Sequence, residues 1–147
     1  MAPVLRMRSR IKGLSVRLAG SNAPCEDRYS IRTREDLDVT AFTVIDGHGG
    51  NLAADIACSQ LLDLFCKRLE GVPDEDRVPE TLATLLDESF AECDKIILEE
   101  AIRIKGQRMR KAELNRGREN VPPAPMQKPI GRAGCCVLVM LIHNNIQ

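Results

Sequence analysis

The sequence predicts an α+β fold with antiparallel strands and two long helices packed on one face. Two kinds of pattern point to it. Short runs rich in β-branched residues either alternate in polarity or are apolar throughout, and two longer segments repeat apolar residues every three or four positions. At 147 residues the chain has the length of one modest domain, with a single core.

Residues 14–18 place Leu14, Val16 and Leu18 alternately with polar or small residues, as a strand does. Residues 28–32 form a second candidate strand, with Tyr29 and Ile31 on one face and Arg28, Ser30 and Arg32 on the other. After the polar loop TREDLD, residues 39–45 (VTAFTVI) read as a central strand covered on both faces, ending at Asp46. Over residues 52–70, Ala54, Cys58, Leu61, Leu62, Phe65 and Leu69 recur at helical spacing. Asn51 is available there as N-cap and Gly71 as C-terminal stop.

A second amphipathic helix carries Leu82, Leu86, Phe90, Cys93, Ile97, Ala101 and Ile104. Pro79 and Glu80 suit its first turn and Gly106 its end. Residues 105–129 lose this period and gather seven basic residues, two acids and Pro122, Pro123, Pro125 and Pro129, so a flexible surface loop is expected. Its basic character fits either simple solvation or recruitment of an acidic partner. Residues 135–142 (CCVLVMLI) read as another buried strand, and His143, Asn144 and Asn145 as a hairpin turn. A return strand is expected after that turn, so truncation is the simplest expectation for the stop at Gln147.

Lys plus Arg and Asp plus Glu each number 21, so the formal charge is zero and no general attraction to nucleic acid or anionic membrane is expected. No apolar run reaches the roughly 18 residues of a membrane span. With no Trp, one Tyr and three Phe, stacking platforms for single-stranded nucleic acid are nearly absent. Cys25, Cys58, Cys66, Cys93, Cys135 and Cys136 contain no C-x-x-C pair and are expected as buried free thiols in a reducing compartment, rather than disulfides or zinc ligands. Arg6, Arg8, Arg10, Lys12 and Arg17 have no acid among them, the composition of a mitochondrial transit peptide or of a basic tail over residues 1–12. An intracellular location, cytoplasmic or mitochondrial, is expected.

The chemistry gathers around two acidic positions. Glu26 and Asp27 precede the strand at 28–32, and Asp46 opens the turn Asp46-Gly47-His48-Gly49-Gly50. If the two strands pair, three carboxylates converge at one end of a sheet, where hard oxygen ligands favour Mg²⁺ or Mn²⁺. The glycines let backbone approach an ion or phosphate, and the helix beginning near Asn51 turns its positive end to the same place. The alternative is a plain Asp-Gly turn with a capping aspartate.

The strings CEDRYS and FTVIDGHGG, two helices and GRAGCCVLVMLI in that order resemble the N-terminal part of the metal-dependent serine/threonine protein phosphatases of type 2C. LAGSNAPCEDRYS resembles the pyruvate dehydrogenase phosphatase branch most closely. The resemblance runs over residues 13–147 apart from the basic loop, and implies a partial α-β-β-α sandwich acting on a phosphoprotein substrate. It implies that Asp46 bridges two Mg²⁺ or Mn²⁺ ions, that the Gly47 carbonyl binds one, and that Glu26 and Asp27 hold metal-bound waters. His48 would be general acid toward the leaving alkoxide, or a hydrogen-bonding prop. Such a site has two ions about 4 Å apart and attacks phosphorus with a bound water or hydroxide.

Asn22 stands where many family members carry a phosphate-gripping arginine, with Arg17 and Arg28 as candidate substitutes. The family's Gly-Asp-Ser-Arg, later Asp-Gly and terminal Asp-Asn strings do not occur in the 147 residues. Weak metal affinity and little independent catalysis are therefore expected, with p-nitrophenyl phosphate hydrolysis no faster than in Asp46→Ala. The alternative function is a catalytically dead, phosphatase-like interaction module.

Overall fold

The computed structural model describes residues 24–115 and 132–143. The candidate strand at 14–18, the tail at 1–12, Arg17, Asn22, the four prolines and Asn144-Asn145 lie outside them. Three strands, β1 (Arg28–Arg34), β2 (Val39–His48) and β3 (Gly134–His143), form one antiparallel sheet in the order β1-β2-β3. Both helices, α1 (Leu52–Leu69) and α2 (Pro79–Asn115), lie on one side of it. The fold is α+β, as predicted.

The connection from β1 to β2 is a short 3₁₀ turn, Glu35–Leu37, closed by Asp38 in the left-handed region at φ 53°. Aspartate tolerates that conformation better than most residues. The register then pairs Arg34 with Val39 and Arg28 with Ile45.

Alternation along β2 sends Val39, Ala41, Thr43 and Ile45 toward the helices, where all are buried. They meet α1 through two apolar clusters. One joins Leu37, Val39, Phe65, Cys66, Leu69 and Leu82; the other joins Ile45, Ala54, Ala57, Leu61 and Cys93. The small residues Ala53, Ala54 and Ala57 bring the first turns of α1 close to the sheet, while Phe65 fills the wider far end. Each fully buried Leu, Ile or Phe stabilises by about 1.5–3 kcal/mol.

β1 buries little apolar surface and is held by charge. Arg28, Arg32 and Arg34 pair with Asp55, Asp63 and Glu70 of α1 and its C-cap. The spacing explains the match: four strand residues from Arg28 to Arg32 span about 13 Å, and eight helical residues from Asp55 to Asp63 about 12 Å. β1 and α1 therefore run parallel. Beneath the ion pairs, Ser30 and Thr43 form a buried cross-strand pair, hydroxyl to hydroxyl at 2.7 Å.

Four expectations are corrected. β2 is central but covered on one face only: Val44 is 57% exposed, and Tyr29, Leu138 and Met140 also remain open to solvent. Both helices pack on the opposite side, so an apolar run does not by itself imply two covered faces. Asn51 precedes α1 without capping it through its side chain, and its carbonyl accepts from the Asp55 N–H instead. Gly106 does not end α2, which runs on to Asn115, so residues 105–115 of the expected loop are helical. The good helix formers Arg, Lys, Gln, Met, Ala, Glu and Leu around Gly106 offset its cost of about 1 kcal/mol. Of the six free thiols, Cys66 and Cys93 are buried, but Cys136 is exposed and the others are half-buried.

Among the described residues, no helix is long and apolar enough to cross a membrane.

Candidate functional site

The site lies where β2 runs into α1. β1 begins at Arg28, opposite Ile45, and the chain just before it, Glu26-Asp27, leaves the ladder near the Asp46-Gly47 end of β2. Direct evidence for the approach comes from Gly47, where a Cβ would collide with the Glu26 carbonyl oxygen and come within 3.0 Å of the Ala54 Cβ. Only glycine permits three backbones, those before β1, at the end of β2 and at the start of α1, to meet here.

The side chains then part. Arg28 turns to the helix side, where its Nε donates to Asp55 at 2.8 Å and its Nη1 to the Asp27 carbonyl at 2.8 Å. By alternation along β2, Asp46 points to the opposite, outer face, where it is exposed. The Cys25 thiol donates to the Asp27 carboxylate at 3.6 Å. Glu26 instead reaches the turn before α1, where its carboxylate accepts the Gly50 N–H at 3.0 Å. An anion at the positive end of a helix is favourably placed, so Glu26 ties the turn to the helix start.

Two glycines hold the turn itself. Gly49 and Gly50 have φ of 72° and 132°, and a Cβ on Gly49 would run into the Arg132 carbonyl oxygen. The strand does not end at the expected Asp46 but runs through Gly47 and His48, and the turn at Gly49-Gly50 is thus packed against the Arg132-Ala133-Gly134 segment that leads into β3. His48 is the register partner of Gly134, and its ring lies over that glycine. Its neighbours on the ladder are Gly47 opposite Cys135 and Asp46 opposite Cys136. Burial, then the charges of Asp94 and Cys136, push the Cys135 thiol up from its ordinary pKa.

Sequence reasoning anticipated the approach of Glu26 to Gly47 at one sheet end, but not a convergence of three carboxylates there: the Glu26 side chain turns to the Gly50 N–H, and no such group forms among the described residues. It missed the Glu26 bond to Gly50, the Arg28–Asp55 pair and the support of His48 by Gly134. The signal for the last was present, since Gly134 closes a small-residue turn just before an apolar strand.

As a cation site the arrangement is partial. Among the described residues, no three His, Cys, Asp or Glu side chains form a group that could hold a metal ion. Even taken together, the Asp27 and Asp46 carboxylates and the Gly47 carbonyl would fall short of the six or more oxygen ligands that Mg²⁺ or Mn²⁺ takes. No family model matches the chain, and no curated protein matches it.

Proposed function

We propose that the chain supplies part of the acidic end of a metal-dependent protein serine/threonine phosphatase site. What supports this reading is the close approach of the Glu26 backbone to Gly47, at the end of β2 that carries Asp46. Under it, Asp46, Asp27 and the Gly47 carbonyl face Mg²⁺ or Mn²⁺, Glu26 anchors the turn while reaching the same end, and His48 stands one residue beyond Gly47 as candidate general acid. The substrate class is a phosphoserine or phosphothreonine protein.

Thermal unfolding with and without Mn²⁺ tests the reading. A ligand that binds only the folded chain raises the unfolding midpoint. The midpoint should rise in the wild type and stay put in Asp46→Ala; equal behaviour of the two removes the proposal.

One observation favours a second reading, a phosphatase-like interaction module without catalysis: the lack of a three-carboxylate group among the described residues. The Mn²⁺ response separates the two: a cooperative thermal transition that added Mn²⁺ leaves unmoved favours the module.

A further inference from the structure

The end of α2 outruns the helix it packs on. α1 and α2 are antiparallel: Arg68, near the end of α1, pairs with Glu88 and Glu92, whereas Leu52, at its start, lines one cleft with Arg103. Past Arg103, α2 continues through Ile104 to Asn115, about three turns or 18 Å. The start of α1 is also where Glu26, Gly47 and Gly50 meet. The overhang therefore begins at the level of the candidate site.

Its surface differs from the rest of the chain. Lys105, Arg108, Arg110 and Lys111 face only Glu113 in sign, although the whole chain is neutral. Arg103 is engaged by Glu100. Among the described residues, no ion pair holds Lys105, Arg110 or Lys111, and all three are exposed. Ile102 and Met109, seven residues apart and so on one stripe, are 62% and 58% exposed. Gly106 lies between them with nothing near its missing side chain, which leaves a notch in the stripe. Lys105 borders this stripe on one side and Arg103 and Arg110 on the other, as helical spacing of 100° per residue requires.

We propose that this overhang is a docking arm for an acidic protein segment with one apolar side chain, the flank of the phosphoprotein substrate. The proposal rests on the phosphatase reading for its choice of partner. Charge complementarity selects the acidic flank, and the Ile102–Met109 notch takes the apolar residue. A membrane surface fits less well, because the exposed apolar stripe of Leu98, Ile102 and Met109 is a single residue wide and Glu113 interrupts its continuation. Nucleic acid fits less well because the arm carries no aromatic residue.

Fluorescence anisotropy of a labelled, unphosphorylated peptide of Asp and Glu with one Leu, titrated with the full chain, tests the arm. Wild type and Asp46→Ala should bind it alike and lose affinity as salt rises. The combined variant Lys105→Glu, Arg110→Glu, Lys111→Glu should weaken binding about tenfold or more. Circular dichroism checks that its helices persist. Undiminished binding by that variant overturns the arm, as does stronger binding to phosphatidylserine vesicles or to single-stranded RNA. The Mn²⁺ shift of the unfolding midpoint, measured on the same triple variant, should be unchanged. If the arm binds and no Mn²⁺ shift occurs in any chain, the phosphatase reading fails while the acidic-peptide arm stands.

Discussion

The imidazole of His48 lies over Gly134, its partner on β3, so closely that a Cβ on residue 134 would come within 2.6 Å of the ring Cε1. The absence of a side chain on β3 thus lets the histidine of the Asp-Gly-His turn rest against the sheet. Gly134→Ala should destabilise the chain modestly, by about 0.5–1.5 kcal/mol, because the exposed His48 ring can shift away from the new methyl. Urea unfolding measures it. The double variant His48→Ala, Gly134→Ala should recover much of that loss, because the colliding ring is gone.

Thiol reactivity should sort by position. Burial, then Asp94 and Cys135, push the Cys93 thiol up to about 11, and burial also raises Cys66. At neutral pH both are protonated and enclosed, and the thiolate is the reactive form. Iodoacetamide should label exposed Cys136 first and reach Cys66 and Cys93 only after unfolding. Peptide mass mapping over a time course reads the order.

His143 gives the fold an acid-side dependence. Burial and the Arg77 charge lower its pKa from the ordinary 6.5, with Asp38 and Asp74 pulling the other way. The native state therefore favours the neutral ring, while the unfolded chain takes up the proton. Stability from this group is full above pH 6.5 and is lost as pH falls from there through the lower, folded-state value. Unfolding midpoints between pH 5 and 8 should show the drop, and His143→Gln should flatten it.

Gly106→Ala should stabilise α2. Nothing stands within 4 Å of the position a Cβ would take, and φ there is ordinary. The gain expected for removing a mid-helix glycine is about 0.5–1 kcal/mol. Circular dichroism melts against the wild type check the sign.

That same glycine shows where sequence reasoning stopped short. Periodicity located both helices and the strands of the sheet, because burying one face imposes a repeat that the letters display. The end of α2 escaped it because an overhanging helix buries no face and shows no repeat. Gly106 then looked like a stop when neighbouring propensities were enough to carry the helix past it. In the site, order along the chain was enough to bring the Glu26 backbone up to Gly47, since two adjacent antiparallel strands leave few registers. The direction of Glu26 was not legible: its preference for the Gly50 N–H depends on a turn geometry set by Gly49, Gly50 and the Arg132 carbonyl from far along the chain.

The central claim is the proposal that Asp46, with Asp27 near the same end of the sheet, draws a hard divalent cation. Electron paramagnetic resonance of free Mn²⁺, titrated with the full chain, measures this without requiring turnover. The account predicts that the wild type depletes the free-ion signal saturably and that Asp46→Ala leaves it at the level of buffer. Equal depletion by both chains, or none by the wild type, would contradict it.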